Sequence, residues 1–241
     1  MTETKAVLFD LDDTLFDHAF AARRALEVIH GDLPRFAEKP FETLESEYSI
    51  LLEEVHLRVL AGELTLEEAR RDRMRTLLSG DERMPADSEV DGLASRFRDG
   101  YQENRRVAEG VHELLGELRE RGILVGVVTN NLTAEQKGKL AFCRLDSLVD
   151  FMVTSEEVGS PKPERAIFEA ALERADCRAS EAVVVGDSWE SDILGARNAG
   201  IRAVWYNPKN LPRPDSTLAD ELRSFQPVGE AALGILLNKG E

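Results

Sequence analysis

Cysteine is scarce in this chain: Cys143 and Cys177 are its two thiols among 241 residues. Two thiols are too few for the disulfide framework of a small secreted domain, and their spacing suits no metal site. The four histidines, His18, His30, His56 and His112, show no metal-ligand spacing either. Apolar runs are short; none approaches the ~20 residues of a membrane helix, so no membrane partner is expected. Positive charge is in deficit, with 30 Lys+Arg against 46 Asp+Glu and a formal charge of −16 at pH 7. Such a surface repels nucleic-acid backbones and anionic lipid, which argues against a polyanionic partner. A small anion is not disfavoured in the same way, because a local cation outweighs a distant field. Met1 to Lys5 lead straight into an apolar run with no signal-peptide pattern, so a cytoplasmic location is expected.

What remains is an ordinary globular balance, 42% hydrophobic and 32% charged, in a length that suits one or two domains. Ala6-Val7-Leu8-Phe9 is a short apolar run that stops at acids, as a buried parallel strand does at its carboxyl end. Similar runs lie at 123–128, ending at Thr129-Asn130-Asn131, at 151–153, at 182–185, ending at Gly186-Asp187, and at 201–206. Helical patterns separate them: Val111, Leu114, Leu115 and Leu118 before Gly122; Ala166, Ile167, Ala170 and Ala171 after Pro163; Ile193 and Ala196 before Gly200. Both cysteines fall in segments that read as helical. Alternating strands and helices predict an α/β fold, a Rossmann-like parallel sheet. A last helix is expected near 230–237, after a proline-rich loop at 207–214.

Residues 17–106 differ. They hold no convincing strand, and Leu44, Tyr48, Leu51, Leu52, Val55 and Val59 share one helical face, as do Val90, Leu93, Phe97 and Tyr101. Thr65, after the turn at Gly62, is a candidate N-cap. An all-helical domain inserted after the first strand is therefore expected at 17–106, with the α/β core formed by 1–16 and 107–241.

In an open parallel sheet, ligands bind beyond the carboxyl ends of the strands. Asp10, Asp12, Thr14, Thr129, Asn130 and Asp187 fall there, with Lys162 before a helix. Three carboxylates in one crevice call for a hard cation, and oxygen ligands suit magnesium. A lysine and a hydroxyl beside them suit a phosphoryl group.

Asp10-Leu11-Asp12-Asp13-Thr14 resembles the first motif of the haloacid dehalogenase-like hydrolase superfamily. Thr129-Asn130 resembles its second motif, Lys162 in Ser160-Pro161-Lys162-Pro163 its third, and Gly186-Asp187 with Asp192 its fourth. The four occur in the family's order across most of the chain. The helical insert resembles the cap of the subgroup whose lid lies between motifs one and two. The short insert and its Gly62–Thr65 turn further resemble the branch of pyrimidine nucleotidases and acylneuraminate phosphatases.

The resemblance implies Asp10 as nucleophile and Asp12 as the acid–base, whose backbone carbonyl also meets Mg2+. It implies Thr129 and the Asn130 amide on phosphate oxygens, and Lys162 neutralising phosphate and Asp10. Asp187 becomes a metal ligand, while Asp192 ligates the metal or holds a metal-bound water. Phe16, Asp17, His18 and Phe20 near the hinge, with Phe16 and His18 foremost, and the Gly62-to-Thr65 turn are the expected substrate contacts.

Bland roles compete at several positions. Asp13 reads as a solvated acid or turn former, Thr14 as a stabiliser of the turn after the first strand, and Trp189 as packing. Arg70, Arg71, Arg73 and Arg75 suggest a phosphate grip, and pairing with Glu67 and Glu68 explains them equally well. The expected activity is magnesium-dependent hydrolysis of a small phosphate ester through an aspartyl-phosphate, with a nucleotide monophosphate as one candidate. Other activities share the scaffold. A haloacid dehalogenase is disfavoured by Asp12, a phosphosugar mutase keeps every motif, and a non-catalytic binding domain has little need of both acids.

Overall fold

The computed structural model describes residues 3–79 and 84–237, which divide into two compact units: Met1–Asp17 with Arg106–Glu241, and His18–Arg105. The first unit carries the sheet. In chain order it contains β1 (Ala6–Phe9), then, after the second unit, α5 (Val111–Glu120), β2 (Leu124–Thr129), α6 (Thr133–Phe142), β3 (Phe151–Thr154), α7 (Ser155–Val158) and α8 (Arg165–Arg174). It continues with β4 (Ala182–Gly186), α9 (Gly195–Asn198), β5 (Arg202–Tyr206), β6 (Asp220–Leu222) and α10 (Val228–Leu236). The second unit is helical, with α1 (His18–Ile29), α2 (Phe41–Leu60), α3 (Leu66–Leu78) and α4 (Asp87–Glu103).

All six strands run parallel in the order β3-β2-β1-β4-β5-β6. Every residue of β1 is buried, as befits a strand covered on both faces. The chain winds outward from β1 to β3, then returns to start β4 on the other side of β1. That reversal opens a crevice at the carboxyl ends of β1 and β4. Phe9 stands opposite Val185, and the Asp10 amide donates to the Val185 carbonyl at 2.9 Å, so Asp10 and Asp187 leave the sheet side by side. Beneath them Leu8, Val184, Ile167, Phe168 and Ile193 form one apolar core with Val128 and Val153.

The helical unit has its own core, in which Ala25, Leu26 and Ile29 of α1 meet Leu44 and Tyr48 of α2, Met74 and Leu77 of α3, and Val90 and Leu93 of α4. Gly100 lets α4 approach α1: a Cβ there would stand 3.2 Å from the Ala25 Cα. Thr65 caps α3 as its sequence position suggests, accepting from the Glu68 amide while the Glu68 carboxylate accepts from the Thr65 amide at 2.8 Å. Arg71 and Arg75 pair with Asp91 and Asp87 rather than with Glu67 and Glu68. Arg73 is buried with its guanidinium over the Tyr48 ring.

Other expectations shift. Cys143 follows the last turn of α6, and Cys177 lies in the loop after α8. β6 was not anticipated, because Asp220-Glu221-Leu222 is a half-buried edge strand with no apolar run. The stretch before Gly200 is not one α-helix. Trp189–Leu194 forms a π-helical turn, and α9 continues from it.

Candidate functional site

Three acids from two loops converge at the crevice. Asp10 follows β1, Asp187 follows β4, and Asp192 is returned to the same place by the π-helical turn. One carboxylate oxygen from each lies within 4.8 Å of the others. The wide turn is what returns Asp192 so near the strand end, and such turns concentrate at functional sites. The Asp192 carboxylate accepts from the Ser188 amide at 3.0 Å and presses on Gly186, where an added Cβ would meet the Asp192 Cγ at 2.3 Å. Position 186 therefore has no room for a side chain.

Lys162 enters from the loop before α8. Its ammonium donates to Asp10 Oδ1 and to Asp192 Oδ1, both at 2.6 Å, with the lysine 5% exposed. Asn130 holds the loop in place by its side chain: its Nδ2 donates to the Lys162 carbonyl at 2.9 Å, and its Oδ1 accepts from the Lys162 amide at 2.6 Å. The Asn130 side chain is thus engaged with Lys162, leaving its backbone amide as the group the resemblance assigns to phosphate. On the far side, Gly195 lets α9 pack within 3.0 Å of the Pro163 Cα, measured from an added Cβ.

The electrostatics follow from these contacts. Burial pushes the Asp10 carboxyl well above the ordinary range; the Lys162 ammonium works against that, and Asp192 and Asp187 add to it. Burial, then Asp192 and Asp13, push Asp187 up to about 7. For Lys162 burial alone would depress the ammonium, but Asp10 and Asp192 outweigh it and hold the proton on. Three carboxylates and one ammonium leave a deficit of two positive charges, the charge of a divalent cation. With oxygen donors only, the set fits a hard ion.

Thr14 does more than stabilise its own turn. Its hydroxyl accepts from the Asp187 amide at 3.0 Å and donates to Asp187 Oδ1 at 3.4 Å, so it joins the first loop to the fourth. Asp13 forms the turn, at φ 63, with its amide on the Phe16 carbonyl at 2.7 Å. Trp189 packs edge-on against Trp205, whose indole N–H donates to the Asp187 carbonyl at 2.7 Å.

Asp12 stands apart from the acid triad. Its carboxylate faces α6, where Lys139 Nζ donates to Oδ1 at 2.5 Å and to Oδ2 at 2.7 Å, and Gln136 Nε2 donates to Oδ2 at 2.9 Å. The same Gln136 nitrogen donates to Thr129 Oγ1 at 2.6 Å. Neither Gln136 nor Lys139 was among the expected site residues. The available signal was a polar pair three residues apart on the helix that follows Thr129, turned toward the sheet with Leu140.

The two foremost expected substrate contacts, Phe16 and His18, are each engaged by the protein itself. Phe16 has no exposed surface, and its ring lies 5.3 Å under the Lys139 ammonium. His18 opens α1 in the helical unit, where its Nδ1 shares a 2.8 Å hydrogen bond with the Tyr101 hydroxyl.

Residues 4–200 match the model of the haloacid dehalogenase-like hydrolases. The chain is 34% identical over 212 residues to a ribulose-1,5-bisphosphate 5-phosphatase of Halopiger xanaduensis, covering 84% of each. It is 29% identical over 210 residues to the pyrimidine 5'-nucleotidase PynA of Streptococcus pneumoniae, covering 86% of this chain and 85% of that one. In fold it resembles the HAD-hydrolase YfnB of Bacillus subtilis, solved bound to magnesium, with TM-score 0.74 at 23% identity over 96% of this chain and 99% of that one. This chain belongs to the haloacid dehalogenase-like hydrolases, as one of their phosphatases.

Proposed function

We propose that the protein hydrolyses a small phosphate monoester in two steps at Asp10, with Mg2+ held by Asp10, Asp187, Asp192 and the Asp12 backbone carbonyl. The observation that carries this reading is Lys162 bridging Asp10 and Asp192 beside Asp187, a cluster short of two positive charges. In the first step an Asp10 carboxylate oxygen bonds to phosphorus while the bond to the leaving oxygen breaks, and Asp12 gives that oxygen its proton. In the second, water attacks the phosphorus of the acyl phosphate and Asp12 takes its proton. The bond to Asp10 then breaks, releasing phosphate and the carboxylate. Lys162, Thr129 and the Asn130 amide hold the phosphoryl oxygens, donating to charge that spreads over them in the transition state. A bound divalent cation supplies further neutralisation at the same oxygens.

The helical unit is the cap in this reading and the source of leaving-group selectivity. The activities named for the two relatives, on ribulose 1,5-bisphosphate at carbon 5 and on pyrimidine 5'-nucleotides, share a phosphate on the primary carbon of a five-carbon sugar. We therefore place the substrate among primary phosphates of small sugars and nucleosides. Release of inorganic phosphate is measured from a panel of these and from an aryl phosphate, with Mg2+ or a chelator. Turnover above the Asp10→Asn level that the chelator abolishes is expected; release no greater than that control overturns the proposal.

The raised Asp187 carboxyl gives a second check. Without metal its folded-state value of about 7 lies above the ordinary 3.8, so between those values the folded chain binds more protons than the unfolded one. Metal-free stability therefore falls as pH rises through that window. A divalent cation favours the ionised cluster, so the gain in Tm on adding Mg2+ is expected to be larger at pH 8 than at pH 5. Equal gains at the two pH values would contradict the cluster as the binding site.

A further inference from the structure

Helix α6 turns Gln136 and Lys139 inward, where an α/β protein ordinarily places aliphatic side chains. Gln136 is fully buried and Lys139 is 8% exposed. Both positions carry a cost. The Gln136 Oε1 is buried without a hydrogen-bond partner, and the Lys139 ammonium is largely withdrawn from water. A methionine of similar length would fill the Gln136 site without the orphaned oxygen. What the two side chains supply is four hydrogen bonds, and all four end on just two residues, Asp12 and Thr129.

From this geometry, and resting on the roles proposed above for Asp12 and Thr129, we infer that Gln136 and Lys139 are positioning residues for the reaction. Lys139 grips both oxygens of Asp12 and is itself set over the Phe16 ring, which fixes the rotation of the carboxylate. Gln136 adds a third bond to Asp12 and donates to the Thr129 oxygen. Because that oxygen accepts from Gln136, the hydroxyl's own hydrogen is left to point at another acceptor, and a phosphoryl oxygen is the acceptor the site provides for. One amide nitrogen thereby sets the acid–base and the phosphate anchor relative to each other.

A double-mutant cycle tests this in the whole protein with Mg2+, reading kcat and KM on an aryl phosphate. Lys139→Met is expected to lower kcat by about 10- to 100-fold with KM little changed. In an Asp12→Asn background the same substitution is expected to cost less than about 2-fold, because its target is gone. Gln136→Met is the second variant. It is expected to lower kcat, to weaken inhibition by inorganic phosphate through Thr129, and to leave Tm equal to or above that of the parent. Inhibition by phosphate should be unchanged in Lys139→Met. Equal losses of kcat in both backgrounds, or a Gln136→Met protein with normal kcat and normal phosphate inhibition, would overturn the inference. If Asp12→Asn itself kept full kcat, the acid–base reading would fall and this inference with it. A normal loss in Asp12→Asn, combined with equal losses in both backgrounds, refutes the positioning role alone.

Discussion

Asp10→Asn is expected to lower kcat for phosphate release by at least about 10⁴-fold while the protein remains folded. The amide keeps the size of the carboxylate but has no oxygen able to form an acyl phosphate. Stability should not suffer in step. Burial, with Asp192 and Asp187 adding to it, disfavours the ionised Asp10 carboxyl, and Lys162 only partly offsets this. The neutral amide removes one of three crowded negative charges, and Lys162 retains Asp192 as its partner at 2.6 Å. In a chelator the Tm of the variant is therefore expected to match or exceed that of the parent. Phosphate release within tenfold of the parent would move the nucleophile elsewhere. A collapse of Tm would show that the Asp10–Lys162 pair stabilises the fold more than the crowding harms it.

The second large effect is expected at Lys162. Lys162→Met leaves Asp10 and Asp192 facing each other with their shared donor removed. Removing one partner of a buried ion pair costs about 3–5 kcal/mol, and losing the ammonium from the phosphoryl site should lower kcat by about 10³-fold. The pH dependence has a definite sign. The Lys162 ammonium is held above its ordinary value, so its contribution is complete at and below neutral pH and is lost only at strongly alkaline pH. Across pH 5 to 8 the variation therefore comes from the carboxyls. Burial holds the Asp10 carboxyl well above its ordinary range, and a protonated Asp10 needs no ammonium, so the destabilisation of Lys162→Met should be smaller at pH 5 than at pH 8. Urea denaturation at the two pH values, in a chelator, reads this directly; a larger loss at pH 5 would show that Lys162 is held by something other than the two acids.

Much of this site was legible in the chain because its chemistry sits where apolar runs stop. Asp10, Thr129 and Asp187 each lie at the end of a buried strand, and a parallel sheet brings such ends together without further information. Lys162 was legible through its motif. The supporting layer was harder to read because its signal is negative. Gln136 and Lys139 look like solvated residues of an ordinary helix until α6 is known to face inward at 136, 139 and 140. Thr14 read as local because a hydroxyl near a turn is usually satisfied there; its partner lies 173 residues away. The burial of Phe16 was not legible either, since an aromatic beside a catalytic loop suggests a ligand contact, whereas here it lies fully buried under Lys139. β6 is polar and three residues long, and no periodicity can emerge over that length.

The two ends of the inserted segment are tied to each other within the α/β unit. Asp17 donates its amide to the Arg106 carbonyl at 3.0 Å, Arg106 returns an ion pair to the Asp17 carboxylate at 2.7 Å, and Phe16 is bridged to Val107. The chain thus leaves the α/β unit and re-enters it at a single clasped point. An excursion of almost any length can be spliced there with little strain on the loop bearing Asp10, because closing a longer loop adds only slowly to the entropy cost. The architecture behaves as a socket. A helical segment of another length fits the same socket and leaves the loop bearing Asp10 in place.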